Sequence, residues 1–505
     1  MKIYHYLNLL LSLTLGIIAN VSSASEVKIK QATVIGQQQQ GIHIFRGLPY
    51  AEPPIGKLRW HSPRPIENTE NKAKVSFNAD KYGPKCLQSD YNNQPANEIS
   101  EDCLSLNIWS KSLKSRQPVM VWIHGGGFRG GSNRIAGEVF AREGKVVVSV
   151  NYRLGPLGFF AHPGLNQPIA NFGLLDLELA LGWVQKNIHA FGGDPNNVTI
   201  FGVSAGGQAV NLLMTSPRAR GLFHRAIIQS GYATWPLPRG RNAKTPAPKN
   251  LFMQPAASAE AMDRELVASI SQEPQTKAML YELDGRKLVN AQVGFRLPIV
   301  DGTSLMEEPG ILYLRGKQAK VPLMTGGNSY EGSVMGGTTL TPVDIERSMG
   351  SHLEAARHLY STDKDGIWQR RLFGDKRYLL SGRITARSMD TTPVWLYYID
   401  FLADSQTGQP GTTHGSDAYF LFNGSSAKDP DVVKLSQRMI SYWSSFASNG
   451  NPNSDKSTFW PAYDPDKQSW LIFDKHDRVG RAMLEEKLDL SETRYFERVA
   501  DAIPE

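Results

Sequence analysis

Gly202-Val203-Ser204-Ala205-Gly206 sets one serine between two glycines, after the short run Val198-Thr199-Ile200-Phe201 and before a stretch, Ala205 to Met214, that reads as helix. A β-branched and aromatic run of that kind suits a buried parallel strand. G-x-S-x-G at a strand-to-helix junction is the pattern of a nucleophile elbow. The serine is held in a strained backbone conformation, side chains at the flanking glycines would clash, and the hydroxyl is lifted clear of the sheet. The helix N-terminus adds partial positive charge and free N–H donors where negative charge develops in acyl transfer.

A serine hydroxyl is a poor nucleophile until a histidine takes its proton, and that histidine needs a carboxylate to fix its tautomer. Downstream of Ser204 stand His224, His352, His358, His414 and His476. His352 and His358 fall in a helical pattern and His476 in the charged run Asp-Lys-His-Asp-Arg, so these three read as solvated surface. His414 differs, because it follows the apolar strand Val394 to Phe401 and lies in Gly411-Thr412-Thr413-His414-Gly415-Ser416-Asp417, a loop with glycines on both sides. Two carboxylates close other apolar runs: Glu331, after Val321 to Thr325 and Gly326-Gly327-Asn328-Ser329-Tyr330, and Asp301, in Pro298-Ile299-Val300-Asp301-Gly302.

The elements that must carry these residues are legible around them. Pro118 to Ile123 reads as a buried strand running into His124-Gly125-Gly126-Gly127-Phe128, where adjacent glycines let the backbone approach a ligand and aim N–H groups at it. Val146 to Val150 is another buried strand. Asn171 to Phe191 carries Leu174, Leu177, Leu181, Val184 and Ile188 near helical spacing and delivers the chain to the serine strand, and Ala226 to Gly231 continues the pattern. Strand, loop, strand, helix, strand describes an α/β protein with a doubly wound, mostly parallel sheet and helices on both faces. Residues 45 to 65, dense in Pro and Gly, read as irregular, and Glu101 to Trp109 alternates as a strand does. Arg239 to Asn250 reads as an exposed loop and Ala257 to Ile270 as a helix over the site.

Composition narrows the class. Of 505 residues, 41% are hydrophobic and 20% charged, ordinary for a folded globular chain with a large core. The net charge of +7 comes from scattered Lys and Arg without a dense basic block, which argues against nucleic acid and leaves a mild bias toward neutral or anionic small molecules. Lys2, the apolar core Leu7 to Ile18 and the small residues Val21-Ser22-Ser23-Ala24 form an export signal over 1–24, too short to span a bilayer. The remainder, 25–505, reads as one domain without a membrane anchor. The only cysteines, Cys86 and Cys103, are expected to pair in an oxidising compartment, periplasmic or extracellular, where closing that loop is worth about 3 kcal/mol. Oligomeric state is not legible.

Phe191 to Gln208, F-G-G-D-P-N-N-V-T-I-F-G-V-S-A-G-G-Q, resembles the serine signature of the type-B carboxylesterase family, the cholinesterase-like α/β-hydrolases, and the chain most resembles its bacterial para-nitrobenzyl-esterase-like members. The segment F-R-G-L-P-Y-A-E-P-P-I-G-K-L-R from Phe45 and E-D-C-L-S-L-N-I-W from Glu101 are similar to two further blocks of that family. The resemblance runs from Phe45 to Tyr463 and is weak over 232–296 and 333–390, which are expected to line the substrate pocket. It implies an α/β-hydrolase fold and an exported serine carboxylesterase that uses no metal or organic cofactor and acts on a small-molecule ester. It implies that Ser204, Glu331 and His414 are catalytic, with Asp301 the rival acid, and that Gly126, Gly127 and Ala205 form the oxyanion hole. It also implies ion pairs of Arg46 with Glu101 and Arg153 with Asp176. Two departures matter: Val203 stands where the family usually has glutamate, and Ser105 where Tyr or Thr is usual. The rival readings are a lipase acting at an interface and a non-catalytic cholinesterase-like adhesion protein. Choline esters are expected to be poor substrates, since the loop between the cysteines contains no tryptophan and only Tyr91 as an aromatic, with Asp90, Glu98, Glu101 and Asp102 supplying negative charge.

Overall fold

The apolar runs assemble into one sheet. The structure, a computed structural model, describes residues 23–30, 32–66, 75–89, 98–245, 247–248, 258–364, 366–455 and 457–503, so Tyr91 and most of the expected export signal lie outside the described residues. Its strands are β1 (Ser23–Lys28), β2 (Ala32–Gln39), β3 (Ile42–Pro49), β4 (Val75–Asn78), β5 (Lys85–Cys86), β6 (Ile99–Ser100), β7 (Ser105–Ser110), β8 (Gln117–Ile123), β9 (Val146–Val150), β10 (Gly193–Val203), β11 (Arg225–Gln229), β12 (Leu323–Asn328), β13 (Val394–Ile399), β14 (Ser469–Phe473) and β15 (Arg478–Arg481). The sheet runs β1-β2-β3-β7-β9-β8-β10-β11-β12-β13-β14-β15, with β4 paired to β2. From β9 to β14 all neighbours are parallel. β1, β2, β3 and β7 extend one edge antiparallel, and β15 closes the other.

The central strands are continuously apolar because both faces are covered. Val119, Val121 and Ile123 of β8 pack with Leu174, Leu177 and Val184 of the helix Phe172–Asn187. Met120 and Trp122, pointing the other way, pack with Leu435, Met439 and Trp443 of the helix Pro430–Asn449. The same double burial explains β7, where every residue from Ser105 to Ser110 is buried and the apparent alternation marks two covered faces.

Three expectations change. Residues 45–49 belong to β3, with Gly47 at φ 69° where the register against β7 shifts, a β-bulge that lets a Pro- and Gly-rich segment stay paired. The expected helix near 257–270 is Ala259–Ala268, but it does not cover the serine: Asp263 is paired with Arg296 and accepts from the Ala161 amide at 2.6 Å. Glu101 is taken by Arg59 (2.6 Å), while Arg46 instead sits over the Tyr82 ring at 5.0 Å. Both arginines lie in the same Pro- and Gly-rich segment, and its bend decides which one reaches the carboxylate.

The second expected pair forms. Arg153 Nη2 meets Asp176 Oδ1 at 2.7 Å and its Nε meets Oδ2 at 2.8 Å, with both side chains buried. Removing one partner leaves an uncompensated buried charge, so Asp176→Ala is expected to cost about 3–5 kcal/mol in a denaturant titration at neutral pH. A loss within about 0.5 kcal/mol, typical of a surface change, would mean that the pair contributes nothing. Cys86 and Cys103 are joined by a disulfide beside β5 and β6.

Candidate active site

β10 ends at Val203 and the helix Ala205–Thr215 begins one residue after Ser204, which has φ 59° and ψ −120°. A non-glycine residue persists in that region only when its surroundings over-determine it. Here the Ser204 amide donates to Gln229 O at 2.9 Å, and its carbonyl accepts from the Gln208 amide at 2.8 Å. The glycines are required by space. A Cβ on Gly206 would come within 2.0 Å of Ile123 O, and one on Gly202 within 2.6 Å of the same oxygen.

That closeness brings the loop after β8 against the serine. A Cβ on Gly125 would stand 2.7 Å from Val203 O and 3.2 Å from Ser204 Cβ. Gly126 and Gly127 follow with φ 111° and 63°. The Ala205 amide is at the start of its helix, where no intrahelical acceptor exists. His124, next to these glycines, stacks on Tyr152 at 4.5 Å and shares a hydrogen bond with Gly125 O at 2.9 Å. Burial pulls its pKa down to about 4, so it stays neutral near pH 7 and braces the loop uncharged.

Glu331 opens the helical turn Glu331–Gly337 shortly after β12 and is buried. Its Oε1 accepts from Ser230 Oγ (2.6 Å), the Asn328 amide (2.7 Å) and Asn328 Nδ2 (3.1 Å). Its Oε2 is hydrogen-bonded to His414 Nδ1. Burial alone would raise this carboxyl. The charge and hydrogen bond of His414, with the Ser230 and Asn328 donors, outweigh burial and hold it below the ordinary carboxylate value. His414 sits in the loop after β13, its amide donating to Ser333 Oγ at 2.9 Å and its ring 4.6 Å from that of Tyr378. With Nδ1 engaged by the carboxylate, Nε2 is the acceptor nitrogen of the neutral ring. It is buried and has no hydrogen-bond partner among the described residues.

Ser204, His414, Gly126 and Gly127 line one cavity of about 1340 Å³. Glu331 stands behind His414. Asp301 lies elsewhere: it accepts from the amides of Ala170, Ser304 and Leu305 at 2.8, 2.7 and 3.0 Å and ties the helix-start loop to its own turn. His224 precedes β11, at the end of the parallel sheet opposite Ser204, and accepts from the Val198 amide at 3.2 Å. His352 pairs with Glu497 at 2.9 Å, and His358 and His476 are exposed.

Sequence reasoning missed Ser230, Asn328, Ser333 and Tyr378, which steady Glu331 and His414; Ser230 and Asn328 stand at or just past strand ends, a position that hinted at them, whereas Ser333 lies in the turn Glu331–Gly337 and Tyr378 in the helical segment Asp375–Leu379, where nothing local did. It also missed Asp417, a buried carboxyl held by Gln229 Nε2 (3.0 Å) and the Tyr397 hydroxyl (3.1 Å), which burial pushes up. The weakly matching segments supply less wall than expected, namely Phe295 and residues 333, 334, 336 and 337, whereas Arg46, Tyr82 and most of the loop from Arg129 to Glu138 supply much of the rest.

Val203 faces the cavity beside Ser204. A carboxylate near an imidazole favours its charged form. Val203→Glu is therefore expected to move the acid limb of the kcat/KM profile to higher pH while preserving turnover, and an unchanged profile would show the position to be electrostatically silent.

A family model described as "Carboxylesterase family" matches residues 23–369 and 369–491. Carboxylesterase 4A of Bos taurus is 33% identical over 528 residues, covering 91% of this chain and 93% of that one. Para-nitrobenzyl esterase of Bacillus subtilis (strain 168) is 33% identical over 477 residues, covering 89% and 94%. Fumonisin B1 esterase of Sphingopyxis macrogoltabida is 32% identical over 482 residues, covering 87% and 84%. Among solved structures, a PNB esterase superposes with a TM-score of 0.79 at 27% identity, covering 93% of this chain and 99% of that one. Carboxylesterase EST55 of Geobacillus stearothermophilus at pH 6.2 also gives 0.79 at 27% identity, covering 92% and 99%.

Proposed function

Given that the chain belongs to the carboxylesterase family, has the α/β-hydrolase fold and is a carboxylic ester hydrolase, we propose that it works through an acyl-enzyme on Ser204, with His414 as base and Glu331 as the acid of the triad. The observation that carries this reading is that a strained serine lines the same cavity as a histidine whose Nδ1 is held by a buried carboxylate and whose Nε2 has no hydrogen-bond partner among the described residues. His414 Nε2 takes the Ser204 proton as Oγ attacks the ester carbonyl. Negative charge on the former carbonyl oxygen is met by the amides of Gly126, Gly127 and Ala205, worth about 2.7–4 kcal/mol for one such donor. The C–O bond to the alcohol breaks and the alcohol leaves with the proton from Nε2. Water, deprotonated in turn by His414, attacks the acyl carbon and frees Ser204 and the carboxylic acid.

Acid-quenched turnover of a slowly deacylating aryl ester, followed by peptide mass spectrometry, tests this assignment. The expected result is acyl mass on the peptide that carries Ser204. Acylation of a different residue, or none during turnover, would overturn it.

The proposed enzyme is exported, with residues 1–24 removed and 25–505 folding as one domain. Cleavage after Ala24 would leave Ser25 opposite Gly36 as the first pair of β1 with β2. The disulfide agrees with an oxidising compartment, and among the described residues no helix is long and apolar enough to cross a membrane. N-terminal sequencing of the mature chain is expected to begin at Ser25. A chain retaining Met1 would reject export by this signal.

A further inference from the structure

We propose that the cavity selects esters carrying a second, free carboxylate, which binds at Arg46 with Arg129 nearby on the same wall; the proposal rests on the esterase reading above. Arg46 projects from the bulge of β3 into the serine's cavity. Its guanidinium lies over the Tyr82 ring at 5.0 Å, its Nε is buried without a hydrogen-bond partner, and among the described residues no carboxylate pairs with it. The carboxylate that sequence assigned to it, Glu101, is bound to Arg59. A half-buried cation left without a counter-ion is costly, and a structural arginine would carry one.

The neighbouring groups strengthen the positive field. Arg134 lies over the same Tyr82 ring at 5.5 Å and is answered by Glu98 at 2.6 Å. Arg129, two residues beyond Gly127, donates to Gly294 O at 2.9 Å and lies 6.0 Å from the Phe295 ring centre. Glu138 is the one carboxylate on the wall among the described residues. With Arg134 matched by Glu98, Arg46 is the arginine on this wall that no carboxylate pairs among the described residues. Guanidinium forks fit carboxylates in two-point geometry, and charge is less screened in a cavity than in bulk water. The cavity, at about 1340 Å³, has room for an acyl or alcohol part with a carboxylate remote from the scissile bond. The same field disfavours a quaternary ammonium. Two of the carboxylates that sequence placed near such a cation, Glu98 and Glu101, are engaged by Arg134 and Arg59.

The test compares matched substrates. In one arm the carboxylate is in the acyl part, 4-nitrophenyl hemiadipate against 4-nitrophenyl hexanoate. In the other it is in the alcohol part, 4-carboxyphenyl butyrate against 4-carbamoylphenyl butyrate. The readout is the ratio of kcat/KM, anionic over neutral, taken within each protein so that partial loss of folded enzyme cancels. In at least one arm the ratio is expected to exceed about tenfold at low salt and to fall toward unity near about 1 M salt. Arg46→Gln is expected to lower it about tenfold, Arg46→Lys to retain part of it, and Arg129→Gln to lower it less. A wild-type ratio at or below one in both arms, or a high ratio that Arg46→Gln leaves intact, overturns the proposal while the neutral esters still report an esterase. Failure to hydrolyse any of the four esters would instead overturn the reading beneath it, and the proposal with it.

Discussion

Ser204→Ala is expected to lower kcat on a soluble aryl ester by about 10⁶-fold while leaving the fold intact, because removing a triad nucleophile costs about as much as removing the whole triad. The substitution is mild for the structure. Alanine retains the backbone bonds to Gln229 and Gln208 that hold the elbow, and φ 59° is no more strained for alanine than for serine. A residual rate about 10³–10⁴ above water is expected, since oriented amides and substrate binding survive. Screening aryl, alkyl and aromatic-acid esters with both proteins gives the measurement. Retention of more than about a tenth of wild-type kcat would place the chemistry on another residue.

Glu331→Gln comes next, with an expected loss of about 10⁴-fold in kcat, the effect of an isosteric amide that favours the wrong tautomer of the histidine. The site is unforgiving. Oε1 already has three donors, from Ser230 and Asn328, so an amide NH₂ turned that way would face them, and turned toward His414 it would meet an Nδ1–H. The only relief is for the ring to donate from Nε2, which removes the acceptor that Ser204 needs. The wild-type carboxyl also couples to stability. Its folded pKa lies below the ordinary value of about 4.3, so its stabilisation is complete above that pH and is lost as pH falls through the lower folded value. Acid denaturation of wild type should therefore steepen below about pH 4 in a way that Glu331→Gln does not share. An activity loss under about tenfold would remove Glu331 from the catalytic set.

Most of what could be read in advance rested on local necessity. Gly202 and Gly206 are glycines because Ile123 O leaves no space for a Cβ, and a rule about elbows captures that from five letters. The apolar runs at 118–123, 146–150 and 198–201 became β8, β9 and β10 because strands covered on both faces have no other place to be. His414 stood out among five downstream histidines because it follows an apolar strand in a loop with glycines on both sides, whereas His352, His358 and His476 sit in patterns that meet water. By contrast, the pocket wall was misjudged. Stretches that matched the family poorly were expected to build it, yet much of it comes from β3, Tyr82 and the loop after Gly127.

What the sequence determined by itself was therefore the class of fold, the strained serine elbow, the glycine loop and the two candidate partners, each set by short-range sterics or by a hydrophobic period. What only the tertiary structure decided was pairing over long separations: Glu101 with Arg59 in place of Arg46, Glu331 with Ser230 and Asn328 as well as His414, and Arg46 left to face the cavity. An ion pair depends on where two flexible side chains end in space. One bend in a Pro- and Gly-rich segment changes which of two arginines, thirteen residues apart, arrives. No local pattern encodes that distance, because it is set by how β3 bulges and how β7 lies against it.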